Sequence, residues 1–484
     1  MSVTPESEQP WHTPSREHPP RSTVRPNIAS QSTSVPNSFS RALHALASET
    51  PPGLFSSHDA RNSGETKLGI RERVRHFTWT WFTMSMSTGG IASVIYHMPF
   101  RFHGLYAIGC IFFLLNLVLF LFNVSMITLR FVLFPNTLRA SFMHPTESLF
   151  MPSVIVSIGI ILETVAQYGF DHAGNWLLDA VFVLYWIYCA MAFIFSFGIY
   201  LLMWSTQTFT IARMTPIWIF PAYPLLIVGP FAGVITSSFS ATRALDCIVG
   251  GVTLQSTGFM VSLMIYSAFI YRLMTQKLPQ ESLRPGMFVS VGPSSFTASG
   301  VVHMATNIAR AVPPDFMGNG PLVAFILKVM ANWWGVWLWG LALWFFFISV
   351  CAHYSCVGPG KLNFQMTWFS FVFPNTALTN ATFAVGMAFD SRPIQIVGTI
   401  MAVAVICMWF VVMGFMIRAV WLKQILWPQK QEDREEGGWK TEAVSGQTAD
   451  GFNVSGDRKV RTGGRVWVDS QGRERDGRRD DELV

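Results

Sequence analysis

Between Arg75 and Lys423 the chain is a near-continuous series of apolar segments, each about as long as a bilayer is thick, split by short loops that hold most of the charge. A helical membrane span takes ~20 apolar residues. Ten stretches qualify, roughly 76–96, 103–129, 148–168, 176–203, 214–238, 244–271, 287–309, 321–350, 364–387 and 393–422. Helices satisfy their own backbone polar groups in lipid, so the expected fold is an all-α membrane protein with ten transmembrane helices. Charged residues are 13% of the chain, about half the share of a soluble domain, which removes the soluble classes. The net charge of +6 is assigned to loop and tail Lys/Arg and not to a nucleic-acid partner. Three regions follow: a cytosolic tail over 1–70, rich in Ser, Thr and Pro and expected to be disordered; a ten-helix domain over 71–425; and a cytosolic tail over 426–484.

Ten spans put both ends on one side. Arg71, Arg73 and Arg75 precede the first span, and the loops on that side carry Arg130, Arg139, Arg213, Arg272, Lys277, Arg284 and Lys361. The opposite loops carry only Arg101, Arg243, Arg310 and Arg392. This asymmetry predicts cytosolic termini. The six cysteines read as small apolar fillers and not as a disulfide framework.

Odd and even spans differ in kind. Prolines well inside a span fall in odd ones: Pro152, then Pro216, Pro221, Pro224 and Pro230, then Pro293, then Pro374. The first span has no proline but carries Gly89-Gly90, and spans 1, 7 and 9 are rich in hydroxyls, among them Ser87, Thr88, Ser294, Ser295, Thr297 and Thr376. Proline frees carbonyls that must face protein or a watery cavity. The expected arrangement is therefore five helical hairpins around a central pore, with kinked odd helices inside and smooth apolar even helices outside.

Ionisable groups within the spans are few: Glu163, Asp179, Asp246 and Lys328, with His303 in span 7. Such groups are functional candidates by default. Asp246, three residues after Arg243, reads as its local ion-pair partner. Lys328 and Glu163 either pair with each other or leave Lys328 to attract an anion, as a further outer-mouth cation. Glu163 and His303 are candidate proton carriers, and a hydrogen-bonded core role for His303 stays open. No Walker loop, metal-ligand spacing or nucleophile elbow is found, so no cofactor, metal or catalytic group is expected, and an enzyme or a receptor is only the different-class alternative.

Three motifs carry a resemblance. The run His76-Phe77-Thr78-Trp79-Thr80-Trp81-Phe82 with Met86-Ser87-Thr88-Gly89-Gly90-Ile91-Ala92, the run Arg284-Pro285-Gly286-Met287-Phe288 with Val291-Gly292-Pro293, and Trp368 to Thr376 resemble the first, seventh and ninth spans of fungal malic acid transport proteins. These belong to the tellurite-resistance/dicarboxylate transporter family, which also holds slow-type anion channels and sulfite efflux pumps. The resemblance implies quasi-fivefold symmetry, a pore in each subunit of a homotrimer, and passage of a C4-dicarboxylate anion such as malate or succinate, with sulfite or another small anion as the alternative. It also implies a phenylalanine gate on the ninth helix, here Phe373, next to Pro374, or Phe371. The anion path implied is lined by Ser87, Thr88, Gly89, Gly90, Gly292, Pro293, Ser294, Ser295, Thr297, Pro374 and Thr376, with Arg101, Arg243, Arg310, Arg392 and Lys328 at the outer mouth. A plasma-membrane location is expected.

Overall fold

Ten helices of 13 or more residues run through residues 69–356 and 363–426, the parts of the chain that the computed structural model describes. They are α1 (Phe82–His97), α2 (Leu105–Leu133), α3 (Pro152–Gly169), α4 (Asn175–Thr206), α5 (Tyr223–Ile235), α6 (Ala241–Gln276), α7 (Val291–Ala311), α8 (Gly320–His353), α9 (Phe373–Ala388) and α10 (Arg392–Trp421). No strand occurs among the described residues. Of the tails expected over 1–70 and 426–484, residues 1–68 and 427–484 lie outside them, as does Lys361.

Seven segments are long and apolar enough to cross a membrane by length and composition: Leu105–Leu133, Pro145–Gly169, Asn175–Thr206, Pro216–Ile235, Ala241–Gln276, Gly320–His353 and Arg392–Trp421. The other three helices, α1, α7 and α9, fall short of that test. The hydroxyls of Thr83, Ser85, Ser87 and Thr88 in α1, and of Ser294, Ser295, Thr297 and Ser299 in α7, dilute the apolar character, and α9 has only 16 residues. These hydroxyls are buried in protein, so their polarity carries no lipid cost.

Burial separates the helices into two shells. In the most apolar 18-residue windows, 72% of the α3 segment and 89% of the α5 segment is buried, against 22% to 33% for α2, α4, α6, α8 and α10. Most residues of α1, α7 and α9 are buried as well. The five inner helices form a closed ring, each packing on two others in the order α1, α3, α5, α7, α9 and back to α1. Each outer helix packs against the inner helix that precedes it.

Proline sets where the inner helices begin, not where they kink. Pro152 is the first residue of α3, Pro224 the second of α5, Pro293 the third of α7 and Pro374 the second of α9. In a first turn the missing N–H has no intrahelical bond to lose. Pro230 is the one of these five that sits in a helix body. Ahead of α1, α5, α7 and α9 the chain runs in 3-10 turns, over Trp79–Trp81, Pro216–Ala222, Glu281–Ser290 and Met366–Phe371. The carbonyl that Pro293 leaves without a helical donor is that of Val289, and the Tyr223 hydroxyl donates to it at 2.5 Å. Glycine is required beside it, because a Cβ on Gly292 would lie 2.2 Å from the Tyr223 hydroxyl.

Outer helices hold the inner ring through polar clamps. Trp409 Nε1 donates to Thr88 Oγ1 at 3.0 Å, and Ser85 donates to Asn116 at 2.7 Å. Gln255 accepts from the Gly229 amide and donates to Thr297 Oγ1, and Trp339 donates to Thr382. Each is a buried polar group that finds its partner across the two shells.

Several cations expected in loops are clamps instead, Arg130 and Arg272 buried and Arg284 half-buried. Arg130 is fully buried, pairs with Glu147 at 2.5 Å and donates to the Phe77 carbonyl at 2.8 Å. Ser141 donates to the same carboxylate at 2.8 Å. Arg272 donates to the Lys277 carbonyl at 2.6 Å, and Arg284 to the Ala352 carbonyl at 3.1 Å. The physical reason is shared: carbonyls at helix ends and in 3-10 turns lack intrahelical donors, and a guanidinium offers five.

Candidate functional site

A small cavity lies inside the ring. Its lining comes from all five inner helices and includes Gly90, Ser93 and His97 of α1, Glu163 of α3, Pro230 of α5, Phe296, Ser299 and His303 of α7, and Phe373, Thr376 and Asn380 of α9. The cavity volume is about 20 Å³, enough for roughly one water molecule, which needs about 10–15 Å³ on the same measure. An organic anion therefore enters only after side chains move.

Aromatic rings close one end. Phe373 and Phe296 have centroids 5.3 Å apart, and Tyr223 sits 6.0 Å from Phe373 and 6.1 Å from Phe296. Phe373 and Tyr223 are the first residues of α9 and α5, so this trio marks the N-terminal end of the inner helices. Phe371 belongs to the preceding 3-10 turn. It packs edge-on against Phe288 and His353 at 5.3 and 5.2 Å and does not line the cavity.

Polar groups furnish the other end. Glu163 Oε1 accepts from Ser93 Oγ at 3.1 Å and from Gln167 Nε2 at 3.0 Å, and Asn380 Nδ2 donates to Ser93 Oγ at 3.2 Å. Among the described residues no cation pairs with Glu163. Lys328 is exposed on α8, so the Glu163–Lys328 pair considered from sequence does not form. His97 Nδ1 donates to the Ser93 carbonyl at 2.9 Å, and His303 Nδ1 lies 3.4 Å from Ser299 Oγ. The two imidazoles stack with centroids 4.9 Å apart and planes 15° from parallel. Three buried atoms of this cluster, Gln167 Oε1, Asn380 Oδ1 and His303 Nε2, have no hydrogen-bond partner among the described residues.

The sequence-selected residues divide. Gly90, Phe373, Thr376, Glu163 and His303 meet at the cavity. The Thr88 and Thr297 hydroxyls are taken by outer-shell side chains. Ser87 donates to the Phe369 carbonyl at 3.3 Å, and Ser295 to the Val291 carbonyl at 2.8 Å. Gly89 backs onto Asn116 and Ile160, Gly292 and Pro293 serve the Tyr223 contact, Pro374 starts α9, and Ser294 is fully buried. Of the outer cations, Arg243 pairs with Asp179 at 2.5 Å and not with Asp246, because its long side chain reaches across to the start of α4. Arg310 donates to the Thr236 carbonyl, Arg101 to the Tyr96 carbonyl at 3.1 Å, and Arg392 opens α10.

Four site residues were not legible as such: Ser93, His97, Gln167 and Asn380. A signal existed. Ser93/His97, Glu163/Gln167, Ser299/His303 and Thr376/Asn380 are all polar pairs at i, i+4, which share a helix face, and all lie on inner helices.

The family model described as voltage-dependent anion channel matches residues 76–417. A malic acid transport protein of Schizosaccharomyces pombe is 32% identical over 369 residues, covering 75% of this chain and 83% of that protein. A putative malic acid transport protein of the same yeast is 32% identical over 370 residues, covering 76% and 85%. A sulfite efflux pump of Trichophyton rubrum is 24% identical over 371 residues, covering 76% and 97%.

Proposed function

The chain belongs to the voltage-dependent anion channel family, and from that premise we propose that it carries C4-dicarboxylate anions such as malate or succinate across a membrane through the inner ring. One observation carries the reading: five buried helices close around a cavity with polar groups at one end and a stopper of aromatic rings at the other. In this account all ten helices cross the bilayer as five hairpins, both termini are cytosolic, the membrane is the plasma membrane, and the protein assembles as a homotrimer with one path per subunit. Phe373 is the gate, since hydrophobic constrictions close a pore by excluding water. Thr376, Ser93 and Asn380 offer hydrogen bonds to carboxylate oxygens, and Glu163 and His303 are the groups placed to carry a proton with the anion. Arg101 lies in the loop between α1 and α2, Arg310 near the end of α7 and Arg392 at the start of α10, and they draw anions to that mouth. The closer identity to malic acid transport proteins than to the sulfite pump supports the dicarboxylate over sulfite.

The test is flux of labelled malate and of sulfite into liposomes containing the purified protein. Saturable malate uptake exceeding sulfite uptake is expected. Sulfite flux alone moves the substrate to a small inorganic anion, and flux of neither overturns the transport reading.

A further inference from the structure

We propose that His97 and His303 form a second closure of the path, so that the cavity beneath them, once its side chains move apart, is an occluded chamber for one small carboxylate anion and not a stretch of open channel. This rests on the reading that the anion moves inside the ring. The two histidines belong to α1 and α7, which are not neighbours in the ring order, so their stack at 4.9 Å crosses the inside of the ring. Both rings line the cavity, and so does the aromatic stopper. Phe296 and His303 are seven residues apart on α7, and Phe373 and Asn380 are seven apart on α9. That spacing puts each pair on one helix face, about 10 Å apart along the axis at ~1.5 Å per residue. The chamber is thus two helical turns long, with rings at both ends.

Its wall chemistry fits the proposed occupant. Of the lining residues, Asn380 Oδ1 is an acceptor without a donor, and His303 Nε2 is a buried ring nitrogen without a partner. Buried polar atoms are rarely left so. A hydroxy acid supplies a hydroxyl donor to Asn380 Oδ1 and a carboxylate acceptor to His303 Nε2, and Glu163, which lines the same chamber, holds the proton that travels with the anion. Gly233 lets α5 pack closely against the base of His303, since a Cβ there would lie 2.6 Å from His303 Cβ.

Ala377 lines the chamber and is buried without a polar role, which makes Ala377→Cys a suitable reporter in a chain whose six native cysteines are replaced. A membrane-impermeant thiol reagent is applied to the outside of intact cells without substrate. Slow labelling is expected with both histidines present. His97→Ala or His303→Ala should accelerate it by about tenfold or more, as when a ring that excludes water is removed. His303→Phe keeps a flat ring in the stack and should stay slow, and Phe373→Ala, at the other end, should leave the outside rate unchanged. His97→Ser and His303→Ser stand in, with the same expected rates, for an alanine variant that fails to fold. Fast labelling with both histidines in place overturns the closure. So does labelling that ignores either histidine yet appears in a Phe373→Ala/His303→Ala double variant, which leaves the path itself standing. No labelling in that double variant, with flux retained, overturns the path and the closure together.

Discussion

Phe373→Ala should raise anion flux about tenfold, equivalent to ~1.4 kcal/mol off the transport barrier, while the protein remains folded. Phe373 touches the cavity on one side and the Tyr223 and Phe296 rings on the other. Truncation leaves a gap where the ring had excluded water, and the starts of α5 and α7 are still held by Tyr223 and its bond to Val289. A ring that only packs behaves differently, because Phe→Ala in a core typically costs ~3–5 kcal/mol and lowers the folded yield. Phe231 provides that comparison: it is fully buried among Tyr185 and Tyr188 and is absent from the cavity lining. Phe231→Ala should reduce yield with no gain in flux per folded molecule. Flux for Phe373→Ala that merely tracks protein level would reassign Phe373 to packing.

Arg130→Met should be the most destabilising single change outside the ring. It leaves the Glu147 carboxylate buried beside Ser141 without its guanidinium and removes the donor to the Phe77 carbonyl. Removing one partner of a fully buried pair costs about 3–5 kcal/mol, a large part of a total stability of about 5–15 kcal/mol. The expected result is a thermal midpoint in detergent several degrees lower and a smaller monodisperse fraction. Arg130→Met/Glu147→Leu should recover most of the loss, since an apolar pair avoids the desolvation penalty. A single variant that melts with the wild type would show that the pair contributes nothing.

The two-shell organisation was legible because it rests on composition. Hydroxyls and prolines mark helices that face protein, and uninterrupted Leu, Ile, Phe and Trp mark those that face outward. The site was legible only where a residue type is rare in its setting. Glu163 and His303 stood out as ionisable groups in apolar spans, and both reach the cavity. Ser93 and Asn380 did not, because Ser and Asn are not rare in these helices, and only their pairing with a polar residue four positions away marks their face. The same ambiguity misassigned the hydroxyls: Thr88 and Thr297 have the composition of path residues, but Trp409 and Gln255 claim them from the outer shell. Charge counting likewise placed Arg130 and Arg272 in solvent, although each is buried against carbonyls or a carboxylate. Positive-inside reasoning registers a cation's position along the chain and is blind to its partner.

The claim that the anion passes inside the ring is tested most directly by Thr376→Cys, in a background without native cysteines, compared with Trp344→Cys. Thr376 is buried and lines the cavity, whereas Trp344 is exposed on outer helix α8. An impermeant thiol reagent is added while malate is moving, when both closures open in turn, and the remaining flux is measured. Loss of flux for Thr376→Cys with flux intact for Trp344→Cys is the predicted result, and equal inhibition of both variants, or of neither, would contradict it.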